Sequence, residues 1–138
     1  MKSIKTLMFI MFFLTALVSV KAENQQPVNP LKKGKELAKH CAWCHDVKRN
    51  LIAPSFMVIL DKYKNVPDKE LKEIFFNSIK NGSKGKWNKW IEENIQTKLG
   101  KPENMYMPAQ KPYFNDEEIK LIVDWLLSLR KKENVSKN

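Results

Sequence analysis

The stretch Cys41-Ala42-Trp43-Cys44-His45 contains both cysteines and one of the two histidines of this 138-residue chain. Its CxxCH spacing is the pattern of covalent attachment to a c-type haem. Each thiol would add to one vinyl group of the porphyrin, and the adjacent His45 would then lie close enough to bind the iron through an imidazole nitrogen. The spacing also places both sulfurs on the same side of a helical turn. The motif therefore predicts one covalently bound haem c.

Three other interpretations of the two cysteines fit less well. A thioredoxin-like CxxC follows a strand in a βαβ setting, whereas residues 34–39 have a helical pattern. A structural zinc site needs four ligands, and apart from His40 the chain offers no Cys or His outside the motif. A disulfide between Cys41 and Cys44 would close a very small loop and leave His45 without a role.

The candidates for a second iron ligand are Met57, Met105 and Met107, which lie outside the N-terminal apolar run. Met57 belongs to the apolar run 56–60, so its expected role is core packing. Met105 and Met107 lie in a loop bounded by prolines, from which a thioether would reach the haem. A thioether ligand is soft and favours ferrous iron. The residue pattern alone leaves both methionines open as the distal ligand.

Residues 1–22 have the layout of a secretory signal peptide. Lys2 and Lys5 precede the uncharged run 7–20, and small residues flank Lys21 at the predicted cleavage site after Ala22. The alternative is an uncleaved membrane anchor, although the uncharged run is shorter than the about 20 residues that a spanning helix needs. We predict export to the periplasm, with membrane anchoring only if the segment is retained.

The length of 138 residues predicts one domain, and the hydrophobic content of 43% is enough for a packed core. The chain is basic, with a net charge of +10. Neither GxxxxGK[ST] nor GxGxxG occurs, which excludes these phosphate-binding loops. We predict a polar lead-in at 23–30, the domain at 31–132 and a polar tail at 133–138. No window alternates at period two, so the predicted fold class is all-α.

The apolar residues recur at helical spacing in five stretches. The expected N-caps are Ser55, Asp68 and Asn115, the last with Glu118 three residues later. Asn81-Gly82 supplies a stop signal. The predicted helices cover 31–39, 56–64, 69–81, 86–99 and the segment from 116 onward.

Further motifs in the same order strengthen the haem interpretation. The CxxCH motif is followed by Ala53-Pro54, the stretch Asn-Gly-Ser-Lys-Gly-Lys-Trp at 81–87, Met107-Pro108 and a terminal helix with Asp-Trp-Leu-Leu-Ser-Leu at 124–129. In this set the sequence resembles the class I cytochromes c, most of all the small bacterial carriers of the c-551 and c-552 type. The resemblance implies four to five helices packed around one haem.

The resemblance also implies a role for each motif residue. Cys41 and Cys44 would form the thioethers, His45 would be the proximal ligand and Met107, which precedes a proline, the distal ligand. The resemblance also implies a hydrogen bond from His45 to the Pro54 carbonyl and one from the Trp87 indole to a haem propionate. It further implies that the first and last helices cross, with Leu37 or Ala38 of the first helix against Leu121, Ile122 and Trp125 of the last. Trp87 as a plain core aromatic is the alternative for that residue.

The sequence departs from this pattern at residues 88–106, an insertion between the tryptophan and the methionine loop. It leaves open whether Trp90 replaces Trp87 at the propionate and whether Met105 replaces Met107 on the iron. The insertion is expected either to cover the haem edge or to bind a partner, and we favour cover.

The predicted function is therefore transfer of single electrons between respiratory partners, without enzymatic activity. We expect a monomer that meets acidic docking faces transiently and does not bind nucleic acid. The lysines expected near the haem edge are Lys80, Lys84, Lys86, Lys89 and Lys111. The alternatives are a haem subunit of a larger periplasmic oxidoreductase and a haem sensor with an open sixth position.

Overall fold

The computed structural model describes residues 28–95 and 105–136. The predictions on the signal segment 1–22 and on Leu99 lie outside these residues. The described part contains five α-helices, a 3-10 helical segment at Ala38–Trp43 and a two-stranded sheet. The helices are α1 (Pro30–Leu37), α2 (Phe56–Lys62), α3 (Asp68–Asn81), α4 (Asn88–Asn94) and α5 (Asp116–Ser136), and the strands are β1 (Ser83–Lys84) and β2 (Tyr106–Met107).

Helix α5 is the centre of the fold, and α1, α2 and α3 all pack against it. The predicted reciprocal cap begins it: the Glu118 amide donates to Asn115 Oδ1 at 2.9 Å, and the Asn115 amide donates to Glu118 Oε2 at 3.0 Å. Ile119 and Ile122 are fully buried. The helix continues through Ser136, so most of the stretch predicted as a polar tail is helical.

The crossing of α1 and α5 is closest at Gly34, a residue that the sequence pattern did not single out. A Cβ at Gly34 would collide with the carbonyl oxygen of Leu121 and lie 3.0 Å from Trp125 Cβ. Ala38 is buried in the hydrophobic core, and Leu37 packs against that core. The missing side chain therefore lets the two helix backbones approach each other directly.

The N-terminus of α3 differs from the prediction. Asp68 is the first helical residue rather than the N-cap, and Pro67 precedes it without any side-chain cap. The Asp68 carboxylate instead accepts a hydrogen bond from Arg130 of α5 at 3.1 Å. The carboxylate that was expected to cap α3 locally therefore binds Arg130, which lies near the other end of the chain.

The segment after α3 also differs from the prediction. Helix α4 begins at Asn88 and ends at Asn94, because Ile95 has extended backbone angles. It therefore starts two residues later than the predicted helix 86–99 and ends before Ile95, and residues 96–99 of that prediction lie outside the described residues. Ser83 pairs with Met107 and Lys84 with Tyr106 in a two-residue antiparallel ladder. Strands this short leave no period-two pattern, and the fold remains essentially helical.

No helix in the described ranges 28–95 and 105–136 is long and apolar enough to cross a membrane.

Candidate haem site

The CxxCH motif forms one tight turn at the end of the 3-10 segment. The carbonyl oxygen of Cys41 accepts two amide hydrogens, from Cys44 at 3.1 Å and from His45 at 2.9 Å. Both cysteines are free thiols, half-buried on the wall of one cavity. Burial raises the pKa of the Cys41 thiol to about 11, with a smaller contribution from Cys44. The two cysteines are therefore separate thiols on the wall of one cavity rather than a disulfide.

The His45 ring is held by one backbone acceptor. Its Nδ1 lies 2.6 Å from the carbonyl oxygen of Pro54. A carbonyl only accepts, so Nδ1 carries the hydrogen and donates, which leaves the Nε2 lone pair for a metal. Burial lowers the pKa of His45 and outweighs the opposing effect of the Pro54 hydrogen bond. The imidazole is accordingly neutral near pH 7, which is the form that binds iron.

The position of Pro54 is fixed by the return of the loop onto the start of α2. The Phe56 amide donates to the Asp46 carbonyl at 3.0 Å, and the Met57 amide donates to the Val47 carbonyl at 3.1 Å. These amides belong to the first helical turn and have no partner within the helix. The loop that follows His45 therefore satisfies the helix start and brings Pro54 back to the imidazole.

A carboxylate strengthens the same loop. Asp46 accepts the amide hydrogens of Lys48 at 2.9 Å and Arg49 at 2.8 Å. These backbone hydrogen bonds, together with the Arg49 guanidinium, lower the pKa of Asp46 to about 2. The carboxylate is thus charged at neutral pH and closes the turn directly after the motif.

Phe56 supports the His45 ring from one face. The two ring centroids are 5.3 Å apart with an angle of 17° between the planes, and Phe56 meets Trp125 edge to face at 5.7 Å. Sequence reasoning placed Phe56 only in an apolar run, because neither partner is close to it in helical spacing. The contact links the imidazole to the core helix α5.

The motif opens onto a cavity of about 320 Å³, a volume typical of small-molecule sites, which measure about 300–1,000 Å³. Cys41, Cys44 and His45 line one part of it, and Met105 and Met107 also line it. Met57 does not line the cavity and packs against the core, as predicted. The apolar walls come from α3, α4 and α5 through Phe75, Ile79, Ile91, Ile122 and Leu126.

The two methionines of the loop reach the cavity from one short extended segment. Both methionines line the cavity, and Tyr106 between them lies at its rim, 65% exposed. Met107 also packs against the main hydrophobic core, and its backbone pairs with Ser83. Met107 is therefore the better anchored of the two thioethers.

Trp87 lines the cavity, whereas Trp90 lies behind it with ring centroids 5.8 Å apart. The Lys62 ammonium lies 4.0 Å from the centre of the Trp87 ring and donates to the Lys86 carbonyl at 3.1 Å. The position of Trp87 agrees with its predicted haem contact better than that of Trp90. The hydrogen bond to a propionate itself stays a prediction.

The lysines predicted near the haem edge differ in their surroundings. Lys80 forms an ion pair with Asp116 at 2.8 Å, so its charge is largely compensated. Lys86 lines the cavity, and Lys84 and Lys111 are exposed beside residues that line it. Lys89 is exposed on α4.

These residues fit a covalently attached haem. The site offers two free thiols for the vinyl groups, a neutral imidazole with its Nε2 free and thioether sulfurs within one apolar cavity. These are the ligand types of a low-spin c-type haem. A helical shell around such a site defines a class I c-type cytochrome.

The comparisons with known proteins agree. Residues 31–130 match the family model of cytochrome c, so the chain belongs to the cytochrome c family. It is 32% identical over 99 residues to the cytochrome c-551 of Pseudomonas denitrificans, which covers 70% of this chain and 98% of that protein. The family binds haem c covalently, and the single CxxCH of this chain makes it a monohaem electron carrier.

Solved structures give the same fold. Wild-type cytochrome c552 of Nitrosomonas europaea is 27% identical with a TM-score of 0.51, and the alignment covers 69% of this chain and 98% of that chain. The class 1 cytochrome MtoD of Sideroxydans lithotrophicus ES-1 is 24% identical with a TM-score of 0.52, covering 72% of this chain and 95% of that chain. At that identity the second likeness concerns the fold alone.

Proposed function

We propose that the protein is a periplasmic carrier that passes single electrons between respiratory partners, with His45 and Met107 as the axial ligands of its haem. The observation that carries this proposal is the meeting of an imidazole and two thioethers in one cavity. An imidazole and a thioether bound to the iron would leave it no open position for a substrate. Bound haem supplies reversible one-electron exchange between ferrous and ferric iron.

The chain's own groups hold the ligands in place. The Pro54 carbonyl retains the Nδ1 hydrogen of His45, which fixes the ring orientation and makes Nε2 a stronger donor. Met107 is preferred over Met105 because its backbone is paired with β1 and its side chain packs against the core. A ligand held from both sides changes position little between oxidation states.

The described part of the insertion supports the covering role. Ile91 of α4 is buried and lines the cavity, and Ile95 at the end of the helix is buried as well. An apolar wall at this point keeps water from the cavity and raises the energetic weight of each charge inside it. Residues 88–95 are therefore interpreted as cover over the haem edge rather than as a docking helix.

Partner docking is expected where the cavity meets solvent. Trp43 of the motif is 86% exposed and lines the cavity, and Tyr106 and Tyr113 on the same rim are also exposed. Exposed aromatic side chains are the residues that most often anchor interfaces. Lys84, Lys86 and Lys111 surround this apolar centre with positive charge, which favours a partner with an acidic rim.

The docking role of Trp43 is testable on gold electrodes coated with mixed carboxylate- and methyl-terminated thiols. We expect Trp43→Ala to slow electron transfer on the mixed coating and to change little on a purely carboxylate one. Ile52→Ala is the matched control, since Ile52 is exposed but does not line the cavity. Equal slowing by both variants on the mixed coating would refute the role of Trp43.

The periplasmic location rests on the signal-like sequence of residues 1–22. N-terminal sequencing of the protein purified from its host is expected to start at Glu23. A start at Met1 in the membrane fraction would instead establish anchoring.

The axial ligands are tested by absorption spectroscopy of the haem-loaded protein. A pyridine haemochrome spectrum is expected to report thioether-linked haem, and the oxidised protein is expected to have a far-red sulfur-to-iron charge-transfer band. A high-spin spectrum that responds to carbon monoxide would favour the sensor alternative. Gel filtration of native material separates the remaining choices, because a free carrier elutes as a small protein and a subunit elutes with its partners.

A further inference from the structure

Helix α3 ends at Asn81, and the next residue, Gly82, is its C-cap with a φ of 79°. This is the left-handed region, where glycine is almost free of strain and other residues are not. The sequence pattern predicted that the helix stops at this glycine, but ending the helix is only one of two features of Gly82. Gly82 is also in contact with the segment that carries the thioethers.

We define residues 105–111 as the distal loop. A Cβ at Gly82 would lie 2.5 Å from the carbonyl oxygen of Met107 and 2.9 Å from the amide nitrogen of Ala109. Both are backbone atoms, so no change of side-chain rotamer relieves the overlap. Gly82 and the backbone of the distal loop are therefore in direct contact, with no room for a methyl group between them.

The distal loop is fixed to α3 and β1 on both sides of this contact. Met107 pairs with Ser83, the residue after Gly82. The Gln110 amide donates to the Ile79 carbonyl at 2.9 Å, and the Lys111 amide donates to the Lys80 carbonyl at 3.3 Å. Carbonyls at a helix C-terminus have no partner within the helix, so the end of α3 serves as the support of the loop.

We propose that Gly82 is a positioning residue for the distal ligand: through the backbone of Met107 it sets how far the thioether extends into the cavity. The proposal rests on the proposed function, in which Met107 binds the iron. A methyl group at position 82 must displace Met107 and Ala109, because neither backbone atom can move independently. The methionine side chain is flexible and absorbs part of the shift, so we expect a weakened iron–sulfur bond rather than its loss.

The experiment compares two alanine substitutions in the haem-loaded full chain. Gly85 has a φ of 78°, almost the same as Gly82, but a Cβ there would meet no atom within 4 Å. Gly85→Ala therefore also places a side chain at a positive φ, but without the contact to the distal loop. The probe is cyanide, which competes with a weakened thioether for ferric iron, together with the far-red band and the reduction potential.

We expect Gly82→Ala to bind cyanide about tenfold more tightly than the unmodified protein, which corresponds to about 1.4 kcal/mol. The far-red band should weaken and the reduction potential should fall, since a thioether favours ferrous iron. Gly85→Ala should retain the band and the potential. Equal effects of the two substitutions on all three measurements would overturn the proposal.

Two further variants distinguish a failure of the Gly82 proposal from a failure of the proposed function. Met107→Ala is expected to abolish the far-red band; if the band survives, Met107 is not the ligand and the proposed function fails before Gly82 is considered. If Gly82→Ala does not fold, Gln110→Ala takes its place, because the Gln110 side chain donates to the Pro108 carbonyl at 2.8 Å and steadies the same loop. Tighter cyanide binding by this variant supports the proposal, and unchanged binding overturns it.

Discussion

The ring of Phe56 stacks on the imidazole of His45, with centroids 5.3 Å apart and planes inclined by 17°. His45 thus has two supports of different kind, since Pro54 fixes the ring through Nδ1 and Phe56 fixes it through one face. Phe56 in turn rests on Trp125 of α5. The orientation of the proximal ligand is therefore coupled to the main core.

Replacing Phe56 by alanine should lower the free energy of unfolding by about 3–5 kcal/mol, as for other buried aromatic residues. It should also shift the His45 resonances in the NMR spectrum and change the reduction potential, because the ring loses one support. Leu60→Ala is the control, since Leu60 is buried on the same helix and does not line the cavity. If the two variants change the spectrum and the potential equally, Phe56 has no specific effect on the ligand.

The two thioethers of the distal loop are distinguished by single substitutions. Met107→Ala should remove the far-red band and lower the reduction potential, whereas Met105→Ala should leave the band in place. The reason is the firmer anchoring of Met107 by β1 and the core. Absorption spectra of the oxidised variants decide the matter, and the reverse pattern would identify Met105 as the ligand.

Arg130 connects α5 to the first residue of α3 and to the segment before it. Its Nη1 donates to the Val66 carbonyl at 2.9 Å and to Asp68 at 3.1 Å, and its Nη2 donates to the Lys64 carbonyl. Arg130→Ala should cost about 1–3 kcal/mol in the free energy of unfolding, because a partly buried carbonyl loses its donor. Denaturant titration measures this loss.

Lys131 provides the matched control for Arg130. It lies 3.9 Å from Asp68 with its side chain 76% exposed, so Lys131→Ala should change the free energy of unfolding by less than about 0.5 kcal/mol. A comparable loss for both variants would mean that the charge near Asp68, and not the carbonyl contacts, provides the stabilisation.

Gly34→Ala tests the helix crossing. Alanine is the better helix former by about 1 kcal/mol, so propensity alone predicts a more stable protein. The collision with Leu121 and the approach to Trp125 should instead destabilise it by about 1–3 kcal/mol through overpacking. Lys35→Ala, at the exposed neighbouring position, should be close to neutral. Thermal unfolding of the haem-loaded variants checks the sign.

The predictions that the structure confirms depend on neighbours in the sequence. The caps at Ser55 and Asn115 and the stop at Gly82 are formed within a few residues. The caps and the stop can be inferred from residue type and spacing alone. The contact from His45 to Pro54 spans nine residues and was implied by the resemblance to the class I cytochromes c.

The features that sequence reasoning missed depend on residues distant in the chain. Asp68 has the residue type of a cap, but Arg130 lies 62 positions away and binds its carboxylate instead. Gly34 looks like a weak helix residue until the backbone of α5 is placed beside it. The contact of Gly82 with Met107 likewise becomes visible only when β1 and β2 are paired.

The two sides of the haem cavity are built from contacts of very different range. His45 is held by a short loop that folds on itself, whereas Met107 is positioned by hydrogen bonds between α3 and a segment much later in the chain. Closing a short loop costs less entropy than closing a long one. The proximal half should therefore assemble first and open last, so that thermal opening begins at the methionine and exposes the iron to outside ligands on that side.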